Sequence, residues 1–263
     1  MKTDARFLVD VGMKDLPFPM RVASKFQPEG QQTVANISIS ARIMQEFEAG
    51  WIDRFIQVLH EHRDRIGTET LRTNIRDYVQ RLNANTVRVD FDYPFFMEKR
   101  TPVSGEKCLV RYLCTYSART SSVEPDPALY FAVRVPVITT YPVPADAKPA
   151  NLFAQLSIVT IEVQSPKDVF PEDMVAIVDR CALMPVYSFL TKEDQEYVIQ
   201  KAHSAVKTSV LMTDEIKNEL RSMREIEWYS VKCSNFGMLH SYSTFIGTEK
   251  SMWVPSSGYE DTI

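Results

Sequence analysis

The side chain with the clearest catalytic chemistry is His240, which follows a strand-to-turn break at Gly237. An imidazole titrates close enough to neutrality to act as acid or base. Tyr141 stands between Thr140 and Pro142 at the end of an alternating run. A phenol there can donate a hydrogen bond, relay a proton or simply fill space. Gln195, at a helix start, can orient a ligand carbonyl or amide, or face solvent. Lys99, Arg100 and Ser104 suit an anionic group, or belong to a turn fixed by Pro102 and Gly105. Asp214 and Glu215, side by side on a helix, read by themselves as solvated helix acids. His60 and His62 are two apart on a helix and point to different faces, so they form no ligand pair and are expected at the surface. None of Cys108, Cys114, Cys181 and Cys233 forms a C-x-x-C pair. Finger-type zinc sites are therefore not expected, and buried free thiols in a reducing compartment are expected.

Composition removes several functional classes. The 263 residues carry 30 Lys and Arg against 34 Asp and Glu, a net charge of −4, which gives no basic footprint for nucleic acid. Apolar residues make up 44% and charged residues 24%, ordinary for a globular protein with a real core. Only 8 glycines occur, and none lies between Gly105 and Gly237. The Gly-rich turns that let a backbone approach a pyrophosphate are missing, so dinucleotide and P-loop sites are excluded. Met1-Lys2-Thr3-Asp4 opens no hydrophobic leader, and no apolar run reaches the ~18 residues of a membrane span. A cytoplasmic protein with no membrane partner is expected.

The elements that must position these residues follow from periodicity. Residues 33–43 alternate as a half-buried strand, paired with a short extended piece from Pro19 to Ala23. A helix near 46–65 closes at Gly67 as C-cap, and Thr68 opens a second helix carrying Leu71, Ile75, Tyr78, Val79 and Leu82. Strands are expected at 86–95 and 107–117. After the turn at 121–127 the order starts again. Strands at 128–140 and 152–164 precede a helix opened by Pro171, Glu172 and Asp173, then one long helix from Glu193 to Met223. Strands at 226–234 and 239–247 and a loose tail from Lys250 complete the chain. The pattern ββααββ thus occurs twice, which is α+β: antiparallel sheets with helix pairs on one face. The expected units are 1–122 and 123–249, with 250–263 as tail. Exposed sheet edges suggest association with copies of the chain, as a dimer or tetramer with ligand sites between units.

The run Pro94-Phe95-Phe96-Met97-Glu98-Lys99-Arg100-Thr101-Pro102-Val103-Ser104-Gly105 resembles the P-F-F-x-x-K-x-x-P-V-S-G segment of type IB GTP cyclohydrolases. The opening Asp10-Val11-Gly12-Met13-Lys14-Asp15-Leu16-Pro17-Phe18-Pro19 is similar to that family's V-G-x-K-x-L-x-F-P. Trp51-Ile52-Asp53-Arg54-Phe55 stands where the family has H-M-S-R-F. Asp194-Gln195-Glu196-Tyr197-Val198 stands where it has D-E-K-Y-V, and Ser234-Asn235-Phe236 through His240 resembles E-N-F-x-x-x-H. The matches run in order from about residue 10 to 247. The resemblance implies the tunnelling fold, two ββααββ units per chain, and a homo-oligomeric barrel with active sites at interfaces.

The family opens the imidazole ring of GTP, giving dihydroneopterin triphosphate, with a metal-activated water. The resemblance assigns its ligands to a Cys in C-P-C, a His in H-N-Q-R, the Glu of D-E-K-Y-V and the His after E-N-F. Here those places read Tyr141 in Tyr141-Pro142-Val143, Phe153 in Phe153-Ala154-Gln155-Leu156, Gln195 and His240. The histidine of H-M-S-R-F is Trp51. One imidazole cannot hold zinc without partners, so no metal and no cofactor are expected. Asp146, Glu162 and His203 are the candidates if displaced residues rebuild a metal site. The resemblance puts the guanine-anchoring glutamate at Val210; Asp214 lies one turn later on the same helical face, with Glu215 beside it, and either could reach a planar N–H edge if the helix is shifted. The expectation is an enzyme acting by acid/base catalysis on a purine-like, pterin-like or specialised-metabolite heterocycle. His240, Tyr141 and Gln195 are its catalytic candidates. Lys99, Arg100, Ser104, Trp51, Phe153, Gln155, Asp214 and Glu215 are its substrate-binding candidates. A non-catalytic scaffold homologue and a true GTP cyclohydrolase with displaced ligands are the alternatives.

Overall fold

A computed structural model describes residues 8–43, 50–64, 66–123, 126–142, 153–237 and 241–250. Nine strands and five helices follow the order β1 (Val9–Val22), β2 (Gln31–Ile43), α1 (Gly50–His62), α2 (Thr68–Arg81), β3 (Ala84–Arg100), β4 (Lys107–Ser121), then β5 (Ala128–Thr140), β6 (Ala154–Gln164), α3 (Pro171–Cys181), β7 (Met184–Pro185), α4 (Lys192–Ala202), α5 (Ser209–Ser222), β8 (Trp228–Phe236) and β9 (Thr244–Glu249). The doubled ββααββ order is present, with β7 and α4 added in its second pass. Among the described residues the named strands pair antiparallel and join into one sheet in the order β1-β2-β3-β4-β5-β6-β8-β9, with β7 on β5. The halves are thus joined through β4 and β5.

Strand alternation sorts the sheet into two faces. Ile37, Ile39, Val89, Phe91, Tyr112, Cys114, Val133, Val135, Val159 and Ile161 point to the helices and are buried. Their neighbours, such as Arg42, Arg88, Arg119 and Arg134, point to the uncovered face. An antiparallel sheet tolerates this because only one face need be dry. Trp51, Phe55, Val58 and Leu59 pack from α1, and Leu71, Ile75 and Tyr78 from α2. All four cysteines are free and buried. Among the described residues no helix is long and apolar enough to cross a membrane.

Several elements differ from the sequence expectation. The first strand is 14 residues long, not a short piece, with a register shift between Met13 and Leu16. Asp15 takes φ 57° there, a left-handed conformation that Asp tolerates better than most residues. Pro17 and Pro19 fit because β1 is an edge strand. Gly67 is the N-cap of α2 rather than the C-cap of α1, which ends at His62. Asp168 serves α2 from the other half, accepting from the Glu69 amide at 2.9 Å. His62 is half-buried rather than fully exposed: its Nε2 lies 3.2 Å from Asp77 Oδ2 and its side chain is 18% exposed. The expected long helix is broken into α4 and α5. Lys207, in the break, donates its amide to Thr140 Oγ1 and accepts from the Thr140 amide, both at 2.8 Å. That tertiary pairing outcompetes helix continuation, and Thr208 recaps the chain as α5.

Carboxylates of the second half grip the first. Glu172 Oε1 accepts from Ser24 Oγ at 2.5 Å and the Lys25 amide at 2.9 Å. Asp179 pairs with Lys99 at 2.5 Å. Asp194 takes the amides of Val103 and Ser104 at 2.9 and 3.0 Å. Residues 143–152, 238–240 and those beyond 250 lie outside the described residues, and with them His240 and Asp146.

Candidate active site at the ends of β5, β6 and β8

Tyr141 follows the last residue of β5, and its amide donates to the Phe153 carbonyl at 2.7 Å, closing the mouth of the β5–β6 pair. Gln155 is the second residue of β6 and is buried. Gly237 follows β8. A Cβ placed at Gly237 would lie 3.6 Å from the Tyr141 ring and 3.7 Å from Gln155 Oε1. Phenol, amide and bare backbone therefore converge at one strand end. His240 is three residues beyond Gly237 in the chain. Phe153 is 47% exposed at the same mouth.

A buried polar chain runs inward from Gln155. Its Nε2 donates to Thr139 Oγ1 at 3.2 Å. Thr139 and Ser157 hydroxyls are 2.8 Å apart, and Ser157 Oγ donates to Asn235 Oδ1 at 2.8 Å. Ser157 has one proton and spends it on Asn235, so Thr139 must be the donor to Ser157. Asn235 Nδ2 donates onward to Ser209 Oγ at 3.0 Å and Thr244 Oγ1 at 3.3 Å. One directional chain thus fixes the ends of β5, β6, β8 and β9 against the start of α5. Thr139 and Ser157 were not singled out from sequence, and Asn235 entered only as the asparagine of the E-N-F match, with no role given to it. The available signal was parity: they occupy helix-facing positions of otherwise apolar strands.

The remaining candidates sit at several places. Glu215 is ion-paired with Lys207, whose backbone pairs with Thr140. Asp214 pairs with Lys217 at 2.7 Å on the exposed side of α5, and Val210 is exposed. Gln195 is exposed and donates to the Leu190 carbonyl at 3.3 Å. Trp51 is 1% exposed in the core, stacked 6.2 Å from Phe55. Arg100 donates to the Gly105 carbonyl at 3.0 Å. Glu162 is on the uncovered face of β6, and burial, partly offset by Arg88, raises its pKa. His203 is the exposed C-cap of α4. Among the described residues no three His, Cys, Asp or Glu side chains form a metal-ligating group.

Ser104 belongs to a clamp. Asp194, fully buried, accepts from Ser104 Oγ at 2.7 Å, from Thr191 Oγ1 at 2.7 Å and from the Thr191 amide at 3.0 Å, besides the Val103 and Ser104 amides. Burial would raise its pKa, but the hydrogen bonds from Ser104, Thr191 and Val103 outweigh that and hold it well below the usual carboxylate range. The retained P-V-S-G segment is thereby pinned to the start of α4.

Lys99 is half-enclosed between Asp179 and the ring of Tyr112, 5.4 Å from the ring centroid. Burial raises the Asp179 pKa and Lys99 pulls it back. Replacing Lys99 with alanine should cost about 2 kcal/mol in chemical denaturation, because Asp179 is left enclosed and unpaired. The double change Lys99→Met with Asp179→Leu should recover most of that loss. Equal loss in the single and double variants would contradict this account.

The family model described as type I GTP cyclohydrolase folE2 matches residues 2–245, nearly the whole chain. The chain belongs to that family. Relatives named GTP cyclohydrolase FolE2 include that of Geotalea uraniireducens, 32% identical over 240 residues, covering 91% of this chain and 87% of the relative. The Citrifermentans bemidjiense protein is 30% identical over 241 residues, covering 92% and 89%. Among solved structures, the uricase from Arthrobacter globiformis superposes with TM-score 0.54 at 10% identity, covering 96% of this chain and 97% of that one. A uricase from Bacillus fastidious gives 0.59 at 10% identity, covering 92% and 93%. At such identity the likeness shows the fold alone, and that fold is the tunnelling fold with its antiparallel sheet and one-sided helices. The folE2 family membership places this chain among GTP cyclohydrolase-type enzymes.

Proposed function

We propose that this folE2-family chain is a divergent relative of the type IB enzymes that acts on a heterocyclic substrate by side-chain acid/base chemistry. The observation that carries this is the convergence of Tyr141 and Gln155 over Gly237, at the strand end where the resemblance places the family's thiolate. The donor set there does not suit a catalytic metal. Phe153 has no ligating atom, Gln195 is a neutral amide turned to Leu190, and Tyr141 replaces the thiolate. Hard or borderline dications need charged or imidazole ligands in number.

The site offers groups suited to a flat heterocycle. The Gln155 amide nitrogen is committed to Thr139, which leaves its oxygen toward Gly237 as acceptor for a ring N–H. The Tyr141 phenol is the donor, and His240 is the acid/base group. Phe153 offers an exposed aromatic surface to the ring. Gln195, Glu215 and the Ser104 loop stand as outer contributors. A purine, a pterin or a specialised-metabolite ring fits this chemistry. A homo-oligomer, dimer or tetramer, in the cytoplasm completes the reading, with subunit contacts closing the site.

The test is turnover on GTP and a panel of purine and pterin heterocycles with a chelator present. His240→Ala should lower kcat by about 10²–10⁴-fold, and Tyr141→Phe by less. Unchanged turnover in His240→Ala would refute the acid/base role. Turnover abolished by the chelator would refute metal independence.

A further inference from the structure

The uncovered face of the first half carries a cavity of about 430 Å³ in which Arg42, Arg88 and Arg119 meet Asp10, Ser40 and Thr86. It lies on β1 to β4, on the sheet face opposite the helices, and is separate from the β5–β6–β8 site. The register puts Arg88 directly across from Arg119 and Ser40 directly across from Arg88. Like charges directly opposite on neighbouring strands repel at Cβ separations of about 5 Å. The nearby carboxylates compensate only part of this charge. Asp10 takes Nε and one terminal nitrogen of Arg42, at 2.8 and 3.1 Å. Asp90 takes only Nε of Arg88, at 3.0 and 3.2 Å, leaving both terminal nitrogens as donors. Glu162 on β6 is the other acid whose field reaches Arg88. Arg119 has no carboxylate within ion-pair reach among the described residues. The Ser40 and Thr86 hydroxyls likewise have no side-chain partner among them.

We infer that this cavity binds a small oxyanion of the phosphate class, held between the Arg88 and Arg119 guanidiniums with Ser40 and Thr86 as further donors. Guanidinium forks match phosphate oxygens in pairs, and an anion between them turns cross-strand repulsion into attraction. The cavity is large enough for a diphosphate. This site goes beyond the heterocycle site and does not depend on it.

Titration calorimetry of the full chain with inorganic pyrophosphate tests it, comparing wild type with Arg119→Gln and with Lys192→Gln. Lys192 is 90% exposed on α4 and serves as the charge-matched control. Arg119→Gln should weaken binding about tenfold or more, and Lys192→Gln should leave it unchanged. A parallel titration with a nucleoside diphosphate separates the sources. Equal affinity marks a free-anion site, and tighter binding marks one that holds the phosphates of a larger molecule. No pyrophosphate binding by wild type, or equal weakening in both variants, would overturn the proposal. A changed assembly state in Arg119→Gln without pyrophosphate binding would overturn it in favour of a partner's carboxylate.

Discussion

Asn235→Ala should lower the unfolding free energy by roughly 3 kcal/mol, the largest loss expected from a single polar side chain in this protein. Asn235 is 7% exposed and joins Ser157, Ser209, Thr244 and the Cys233 thiol. Removing it leaves the Ser157 and Ser209 hydroxyls buried without their partner, and water has little access to replace it. The relay from Gln155 then loses its anchor, so the Gln155 amide is no longer held toward Gly237. Urea denaturation gives the stability, and turnover on the identified substrate should fall with it. Thr160→Ala, on the uncovered face of β6, should change stability by no more than about 0.5 kcal/mol. Equal effects of the two changes would mean that the relay is not a unit.

The second large effect is expected at Asp194. Asp194→Asn should lower the unfolding midpoint clearly more than Asp214→Asn, whose carboxylate is an exposed helix acid. The pH dependence carries the sharper sign. The carboxyl pKa is depressed in the folded state below its ordinary value of 3.8, first against burial and then by the hydrogen bonds from Ser104, Thr191 and Val103. The unfolded chain therefore binds the proton at higher pH than the folded one. The stabilisation from Asp194 is complete above the unfolded value and is lost as pH falls below 3.8 through the folded value. Wild type should lose stability more steeply than Asp194→Asn between about pH 4 and pH 2. Parallel stability curves would show that the clamp on the Val103–Ser104 loop does not depend on the charge.

The strands were legible because one face is dry: β5 runs from Ala128 to Thr140, the span its alternation marks. The break between α4 and α5 was not legible, since both pieces are amphipathic in a continuous pattern. What interrupts them is the backbone pairing of Lys207 with Thr140, a contact 67 residues apart. Nor did local pattern reveal the length of β1, because Pro17 and Pro19 argue against a strand until its edge position is known. At the site, Tyr141 and Gln155 were legible through family motifs. Asp194 was not, because an acid in a first helical turn reads as a solvated cap, while here the Val103–Ser104 loop closes over it. Lys99 reads as an anion-binding cation in sequence. In the structure its charge is already answered by Asp179, whereas Arg119 on the uncovered face has no carboxylate within ion-pair reach among the described residues.

The central claim is that the Tyr141–Gln155–Gly237 strand end works without a bound metal. Elemental analysis of the protein purified without chelator tests this most directly. The account predicts far less than one equivalent of zinc, manganese or iron per chain, unchanged in Tyr141→Phe and His240→Ala. A tightly held metal near one equivalent, lost in His240→Ala, would contradict it.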